Sequence, residues 1–309
     1  MTAEQFRDRL LAEELLADGA VPGIYHRSFA LEHIIQHLSA YISAAGEGTA
    51  MRRLHLGPVQ ARATLEGSGY VTSFPNLVGV VTSFSGTEAD VPGFLDAVEA
   101  GGSWLDHTAP TDLALCSAGC HPLYPMLASS VVPTDGELFE VETWVFRHEP
   151  SVDPARMQTF RQHEFVCVGS LDQAVAHRDG WLERGRALLA ALALELDVVP
   201  ANDPFFGRPG RLLARSQLAK ELKFELTAPI SSSNPGAVAS ANYHEDHFGV
   251  AYAITTPDGA PAHTACIGFG LERIALSLLY THGTSVSAWP TETLAALSID
   301  PATLAEGSR

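Results

Sequence analysis

The segment from Val145 to Phe165 constrains the fold of this chain more than any other stretch. It reads as a short apolar strand that carries Arg147 and Glu149, a turn marked by two prolines, and a return strand that carries Arg161 and Glu164. Because side chains alternate along a strand, two strands joined in this way place their inward side chains on one shared face. Guanidinium groups bind phosphate oxygens and an aromatic ring stacks on a base, so the segment predicts a nucleotide site.

The remainder of the chain indicates a mixture of strands and helices. Short β-prone runs separated by glycine and proline lie at residues 51–59, 67–84, 113–120, 138–144 and 224–230. The intervals between them are too short for repeated βαβ crossovers, so we expect an antiparallel, meandering sheet. Leucine and isoleucine recur at helical spacing in residues 10–42, interrupted at Gly19–Gly23, which predicts two helices joined by a turn. The sequence therefore predicts an α+β fold.

The charge and the cysteines exclude several classes of protein. The formal net charge is −17, which argues against a broad surface for nucleic-acid backbone. No apolar run approaches the roughly 20 residues that span a bilayer, and the N-terminus lacks the pattern of a secretory signal, so we expect a cytoplasmic location without a membrane. The four cysteines are too few and too scattered for a disulfide scaffold, which leaves reduced thiols or a metal site.

A second informative segment is Gly268-Phe-Gly-Leu-Glu-Arg273, which leads from a predicted strand into an apolar helix. Two glycines before a helix are weak evidence alone, and their spacing matches neither a Rossmann fingerprint nor a Walker loop. Arg273, however, lies in the first turn of the helix, where its guanidinium can meet a phosphate that the helix N-terminus already favours. Together with Arg147 it would hold a polyphosphate from two sides.

Together, these segments resemble class II aminoacyl-tRNA synthetases, and the seryl type most closely. Phe146-Arg-His-Glu149, a loop and Phe160-Arg-Gln-His-Glu-Phe165 resemble motif 2, Gly268–Arg273 resembles motif 3, and Gly69–Pro75 is a looser candidate for motif 1. The resemblance runs from about Leu54 to Leu279. It implies an antiparallel sheet flanked by helices, with an N-terminal helical segment at residues 1–50 and a catalytic domain at 51–309. A helical insertion is expected at about 171–223.

The departures from a complete synthetase narrow the resemblance. The first fifty residues have no room or heptad pattern for a coiled-coil arm, and the net charge of −17 argues against gripping tRNA. The chain is similar instead to the amino acid:[carrier protein] ligases, truncated relatives that load an amino acid onto the phosphopantetheine thiol of a carrier protein. The stretches that carry this resemblance are Cys120–Pro125, Ser240–Gly249 and Tyr70–Asn76.

This resemblance implies a two-step reaction and its partners. A small amino acid, such as glycine, alanine or serine, reacts with ATP to give an aminoacyl-adenylate, and the carrier thiol then takes the aminoacyl group. No tRNA is expected, and we expect a homodimer. The alternatives are an adenylate-forming enzyme that serves tRNA or a small metabolite, and a catalytically silent paralogue with a regulatory role.

The resemblance also implies which residues bind ATP. Arg147 would hold the α-phosphate and Arg273 the γ-phosphate, which makes these two the catalytic pair. Phe165 would stack on adenine, and Glu149 would contact its amino edge. Arg161, or Arg156, would help with the phosphates. Magnesium should accompany ATP. Glu225 is one candidate ligand for it, and Asn242, His244, Glu245 and His247 are others.

A zinc ion in the amino acid pocket is the third implication. The matching ligands are Cys120, Glu164 and Cys266; three protein ligands leave one position of zinc open, where an α-amino group can bind. Cys116, one helical turn before Cys120, is the rival for the first ligand, and Cys167 is interpreted as structural.

Two groups of candidates remain open. Asn242, His244, Glu245 and His247 are candidates for the floor of the substrate pocket, with a structural role equally open. The segment 208–223 is basic in an acidic chain, and it is either a solvated helix face or a docking patch for an acidic carrier. The candidate docking residues are Arg208, Arg211 and Arg215.

Overall fold

The computed structural model describes residues 1–203, 217–218 and 220–306. In chain order the regular elements are α1 (Ala3–Ala12), β1 (Leu16–Asp18), β2 (Tyr25–Arg27), α2 (Phe29–Ala44), β3 (Arg52–His55), β4 (Val59–Ala61), α3 (Arg62–Gly67), α4 (Tyr70–Ser73), β5 (Val80–Phe84), α5 (Val91–Glu99), β6 (Thr108–Leu115), α6 (Leu123–Met126), β7 (Glu137–Phe146), β8 (Thr159–Gly169), α7 (Leu171–Ala190), β9 (Asp197–Pro200), β10 (Lys223–Pro229), β11 (Pro235–Tyr243), α8 (His247–Tyr252), β12 (His263–Gly270), α9 (Leu271–His282), α10 (Thr291–Ala296) and α11 (Pro301–Glu306).

The main sheet has seven strands in the order β3-β7-β8-β12-β11-β10-β9. All neighbouring strands are antiparallel except β3 and β7, which are parallel. The prediction of an antiparallel sheet is therefore confirmed, but its order is not a simple meander, because β8 pairs with β12 across about a hundred residues of chain. The two synthetase-like segments, β8 and the strand that precedes α9, consequently lie side by side at the centre of the sheet.

One face of the sheet is covered by helices. Helices α2, α7 and α9 pack there with side chains from β8, β10, β11 and β12 in the largest core cluster. Helix α7 begins at Ser170, whose side chain accepts the backbone N–H of Gln173 in a capping box. Its buried residues lie along one side, so α7 is a layer of the sheet, and β9, which follows it, is the edge strand. The part of the predicted helical insertion at about 171–223 that is described here thus joins the main sheet.

The N-terminal segment differs from its prediction in one respect. The interruption between the two helices is not a turn alone but a β-hairpin, in which β1 and β2 pair around a tip at residues 19–24. Phe6 of α1 and Ile34 of α2 belong to the same core cluster as the sheet. The division at residue 50 therefore stays a prediction, since the two parts share one core.

A smaller sheet, β4-β6-β5, carries a projecting segment, residues 80–113, which we call the arm. The arm contains β5, α5 and most of β6, and none of its residues is buried. Gly69–Pro75, the looser candidate for motif 1, forms the short helix α4 below it. No helix in the described part of the chain is both long and apolar enough to cross a membrane.

Candidate active site and metal centre

Two cysteines and a glutamate meet on the face of the sheet opposite α7. The Sγ atoms of Cys120 and Cys266 and a carboxylate oxygen of Glu164 all lie within 4.8 Å of one another, and all three residues are buried. Cys266 pairs with Val166, two residues beyond Glu164, so strand alternation places both ligands on one face. Cys120 reaches them from the loop between β6 and α6. Zinc bonds of about 2.0–2.3 Å to sulfur and oxygen fit a set of this size.

The surroundings of Glu164 fit a cation. Its Oε1 accepts the backbone N–H of Gly119 at 3.0 Å, whereas its Oε2 has no hydrogen-bond partner at normal distance among the described residues. Burial raises the pKa of this carboxyl, and the thiols of Cys120 and Cys266 only partly offset that effect. A buried carboxylate oxygen without a partner is costly, and a bound cation removes the cost. Gly119 is required here, since a Cβ would lie 2.7 Å from Oε1.

The other two cysteines do not belong to this set. The Sγ atom of Cys116 donates to the carbonyl oxygen of Ala118 at 3.2 Å, and burial raises the pKa of Cys116 to about 12. Cys120, not Cys116, is therefore the cysteine that the structure brings to Glu164 and Cys266. Cys167 follows the opposite alternation from Glu164 and Val166 and lies on the helix-covered side, where burial raises its pKa to about 11.

Both predicted phosphate-binding arginines lie on the same face as the three ligands. The guanidinium carbons of Arg147 and Arg273 are 5.4 and 5.9 Å from the centroid of the Phe160 ring. Burial, followed by the charge of Arg147, lowers the pKa of Arg273. The Nε atom of Arg147 is buried without a hydrogen-bond partner in the described structure. Two guanidinium groups over one ring form a cradle for an anion such as a polyphosphate.

The expected stacking of adenine on Phe165 does not fit the structure. Phe165 is 0% exposed, and its ring stacks on Trp181 at a centroid distance of 3.8 Å beneath α7. The reason is strand alternation: Glu164 faces the metal set, so its neighbour must face the other way. Phe160, four residues before Glu164, shares its face and lies under both arginines. Phe160, rather than Phe165, is therefore the ring that a base bound beside the two arginines could reach.

Arg161 is also misassigned as an ATP ligand, for the same reason. Its Nη1 donates to Glu32 Oε1 at 2.6 Å and its Nε to Glu272 Oε1 at 3.0 Å, on the helix-covered side of the sheet. Glu272 also accepts the backbone N–H of Arg161. Arg161 thus joins β8 to α2 and α9, and its guanidinium lies on the face of the sheet opposite the metal set.

The predicted substrate residues separate into two groups. Asn242 Nδ2 lies 3.6 Å and His244 Nε2 lies 3.7 Å from the Sγ of Cys266, so both border the metal set. Glu245 instead points to the surface, where it accepts from Lys220 Nζ at 2.9 Å, and its assignment to the pocket does not hold. The Nε2 of His247 is hydrogen-bonded to the carbonyl oxygen of Ser68 at 3.0 Å.

Aromatic side chains that no sequence pattern pointed to are packed in one buried cluster with Cys120. The Tyr124 ring stacks on Phe248 at 3.9 Å, and burial, followed by the charges of Cys120 and Cys266, raises the pKa of the Tyr124 hydroxyl. His244 packs edge-on against Phe248, and burial lowers the pKa of His244 to about 4.

A buried ion pair continues the site along the sheet. Lys223 pairs across β10 and β11 with Asn242, and its Nζ lies 2.6 Å from Asp203 Oδ1 and 3.1 Å from Glu225 Oε1. Burial opposes the charge of Asp203, but Lys223 holds the pKa of Asp203 below its usual value. Glu225, a magnesium candidate, shares this face, and its charge partly offsets the effect of burial on the pKa of Arg273. Arg208, Arg211 and Arg215 lie outside the described residues.

Comparison with known proteins gives two groups of relatives. No protein-family model matches the chain. It is 41% identical over 304 residues to amino acid–[acyl-carrier-protein] ligase 1 of Bradyrhizobium diazoefficiens, covering 97% of this chain and 93% of that protein. It is 43% identical over 282 residues to ligase 2 of the same organism, covering 91% and 84%. The type-2 serine–tRNA ligase of Methanopyrus kandleri is 27% identical over 203 residues, 61% of this chain and 38% of that protein.

Solved structures confirm the predicted fold. The M. kandleri seryl-tRNA synthetase, in complex with A. aeolicus tRNASec, superposes with a TM-score of 0.81 at 18% identity, covering 95% of this chain and 60% of that one. A cytoplasmic serine–tRNA ligase from Naegleria fowleri, in complex with AMP, gives a TM-score of 0.69 at 12% identity, covering 96% and 66%. The α+β fold with a sheet flanked by helices is that of class II aminoacyl-tRNA synthetases.

Proposed function

Because the chain belongs to the family of amino acid–[acyl-carrier-protein] ligases, we propose that it activates a small amino acid with ATP and transfers it to the phosphopantetheine thiol of a carrier protein. One observation supports this most strongly: the Cys120, Glu164 and Cys266 set and the Arg147 and Arg273 cradle lie on one face of one sheet. The first suits an amino group and the second a polyphosphate, so the two substrates meet between them.

Zinc fits the three-ligand set better than magnesium does, because two of the donors are thiolates. Held by Cys120, Glu164 and Cys266, zinc would leave one position open and would orient the α-amino group of the substrate. Asn242 and His244 border Cys266 and would hold that ligand in place. The rings of Tyr124 and Phe248 share a buried cluster with Cys120 and Cys266, and this bulk beside the metal ligands favours a small amino acid.

The arginines carry out the charge stabilisation in the first step. The amino acid carboxylate attacks the α-phosphorus of ATP; a new oxygen–phosphorus bond forms, the bond to the β-phosphate oxygen breaks, and pyrophosphate leaves. Arg147 stabilises the charge at the α-phosphate and Arg273 that on the leaving pyrophosphate, while Phe160 stacks on adenine and Glu149 contacts its amino edge. In the second step the carrier thiolate attacks the acyl carbon, and AMP leaves.

The test of this function is a pair of assays on the zinc-loaded protein. We expect ATP–pyrophosphate exchange that depends on one small amino acid out of the full set, and loading of a phosphopantetheinylated carrier but not of tRNA. The apo-carrier, which lacks the phosphopantetheine thiol, is the matched control and should stay unloaded. Efficient charging of tRNA without carrier loading would contradict the proposal, and so would the lack of exchange with every amino acid.

We also propose that the chain forms a homodimer and that the arm contributes to the contact. Exposed large apolar side chains are concentrated in it, including Leu95 at 50%, Trp104 at 49% and Leu105 at 55% exposure. A segment of strands and a helix without one buried residue has little to stabilise it alone, and exposed apolar side chains concentrated in one segment favour an interface there. We take the partner to be a second copy of this chain, because most soluble oligomers are homo-oligomers.

Substitution of Leu95 and Trp104 by glutamate is therefore expected to convert the dimer to a monomer in light scattering coupled to size exclusion. Val250→Glu is the matched control, since Val250 is 63% exposed on α8 outside the arm, and that variant should stay dimeric. A wild-type protein that is monomeric at high micromolar concentration would contradict the dimer. If the arm variants stay dimeric, the dimer contact does not involve the arm.

A further inference from the structure

We propose that the tip of the N-terminal hairpin, residues 19–24, braces both nucleotide-binding arginines by holding the loop between β7 and β8, residues 147–158. The hairpin has no part in the chemistry described above, and its strands are separated from the loop by more than a hundred residues of chain. The inference rests on the proposed function, because it assigns the hairpin a role in ATP binding. Its residues are positioning residues and do not touch the substrate.

The main contact between the hairpin and the loop is made by one buried residue, Gln158, which is 4% exposed. The backbone N–H of Gln158 donates to the carbonyl oxygen of Gly23 at 2.8 Å, and its Nε2 donates to that of Pro22 at 2.9 Å. At the other end of the loop, the Tyr25 hydroxyl donates to the carbonyl oxygen of Val152 at 3.2 Å. The hairpin thus fixes the loop at two points.

Gln158 transmits this contact to Arg147. Its carbonyl oxygen accepts the backbone N–H of Arg147 at 2.9 Å, and its Oε1 lies 3.3 Å from His148 Nδ1. The same residue is therefore bonded to the hairpin on one side and to the backbone of an ATP-binding arginine on the other. Displacement of Gln158 would move Arg147 relative to the sheet.

Arg273 depends on the same loop. Its Nε donates to the carbonyl oxygen of Ala155 at 2.9 Å, and its Nη1 donates to that of Ala237 at 3.1 Å. Ala155 lies three residues before Gln158, in the part of the loop that the hairpin fixes. The direction of the Arg273 guanidinium is therefore set partly by the sheet, through Ala237, and partly by the loop, through Ala155.

The hairpin and the loop can approach each other closely because residue 23 is a glycine. Its φ is +81°, and a Cβ there would lie 3.1 Å from the carbonyl oxygen of Arg156 and 3.1 Å from the Cγ of Gln158. Any side chain at this position must push the loop away by a few tenths of an ångström. Gly48 has the same φ of +81°, but a Cβ there would meet nothing within 4 Å. The two glycines share the backbone strain and differ only in the contact with the loop.

Bracing matters because a polyphosphate needs both arginines at a fixed separation. A loop that is ordered before ATP binds has already lost its conformational entropy during folding. A loose loop loses that entropy on binding, which lowers the affinity for ATP. The amino acid pocket around Cys266 makes no contact with the hairpin tip through these residues, so its affinity should not change. The expected signature is a loss of ATP affinity alone.

The experiment compares Gly23→Ala with Gly48→Ala in the full zinc-loaded chain. In hydrogen–deuterium exchange without nucleotide, residues 150–158 of Gly23→Ala should exchange several-fold faster than in the wild type, and calorimetry should show an ATP Kd about fivefold to tenfold higher, the size of one lost hydrogen bond. Gly48→Ala should match the wild type in both. The amino acid KM and the zinc content should stay unchanged in either variant. Gln158→Met, which removes the bond to Pro22 but leaves Gly23 intact, should raise the ATP Kd to a similar extent.

The outcomes separate the brace from the proposed function. Equal loop exchange and equal ATP Kd in Gly23→Ala and Gly48→Ala would overturn the brace, as would faster loop exchange with an unchanged ATP Kd. If Gly23→Ala does not fold, the same two readouts on Gln158→Met decide. Failure of the proposed function would appear elsewhere: a wild-type protein that binds ATP but supports no amino-acid-dependent pyrophosphate exchange.

Discussion

Replacement of Cys266 by serine is expected to remove zinc from the purified protein and to lower amino-acid-dependent ATP–pyrophosphate exchange on the order of 10³-fold. Cys266 is 3% exposed and lies within 4.8 Å of the other two ligand atoms, so the variant leaves Cys120 and Glu164 to hold the ion alone. A metal that orients or polarises a substrate contributes several kcal/mol, and each 1.4 kcal/mol corresponds to about tenfold in rate. The measurements are metal analysis by mass spectrometry and the exchange assay.

Cys167→Ser is the matched control for that variant. Cys167 is 2% exposed, as deeply buried as Cys266, and lies one strand away, but it faces α7 and the back of the sheet. Both substitutions exchange a buried thiol for a hydroxyl and carry a similar cost in stability. We expect Cys167→Ser to keep one zinc per chain and an exchange rate near that of the wild type. Full zinc occupancy in Cys266→Ser, or equal loss of zinc in the two variants, would contradict the ligand assignment.

The sequence predicted the parts of the site whose spacing follows from strand geometry. Arg147 and Arg273 approach one ring, that of Phe160, as two arginines expected to hold a polyphosphate from two sides should. Cys120, Glu164 and Cys266 come together as the resemblance implied. Strand alternation also shows why the prediction for Phe165 was wrong. Glu164 and Phe165 are consecutive in a strand and cannot share a face, so a metal ligand at Glu164 already excluded Phe165 from the site.

Other parts of the site could not be predicted from local pattern. The ion pair of Lys223 and Asp203 lies beside the candidate site because β10 pairs with β9 and β11. No spacing in the sequence predicts this pairing of strands. The contact between Gly23 and Gln158 joins residues far apart in the chain, and a Val-Pro-Gly sequence predicts a turn without indicating what the turn packs against. Such contacts depend on tertiary packing, and they are the part that the structure adds.

Arg147 directly follows β7, and Arg161 lies on its partner strand β8. The two arginines are expected to respond in opposite ways to the same substitution. Arg147→Met should lower the exchange rate on the order of 10³-fold, because it removes a preorganised charge at the α-phosphate. The thermal stability of this variant should stay near that of the wild type, because the Nε of Arg147 has no hydrogen-bond partner to lose in the described structure. The exchange assay and differential scanning calorimetry measure the two effects on the same samples.

Arg161→Met is the counterpart with the reverse result. It leaves Glu272, whose side chain is 2% exposed, without its closest cationic partner, and an uncompensated buried charge costs about 3–5 kcal/mol. In a chain of this length that loss corresponds to a fall of roughly 5–8 °C in Tm. The ATP Kd should stay within about twofold of the wild type, because Arg161 faces α2 and α9 rather than the nucleotide. If Arg161→Met instead weakened ATP binding tenfold with an unchanged Tm, the assignment of the two arginines to opposite faces would have to be reversed.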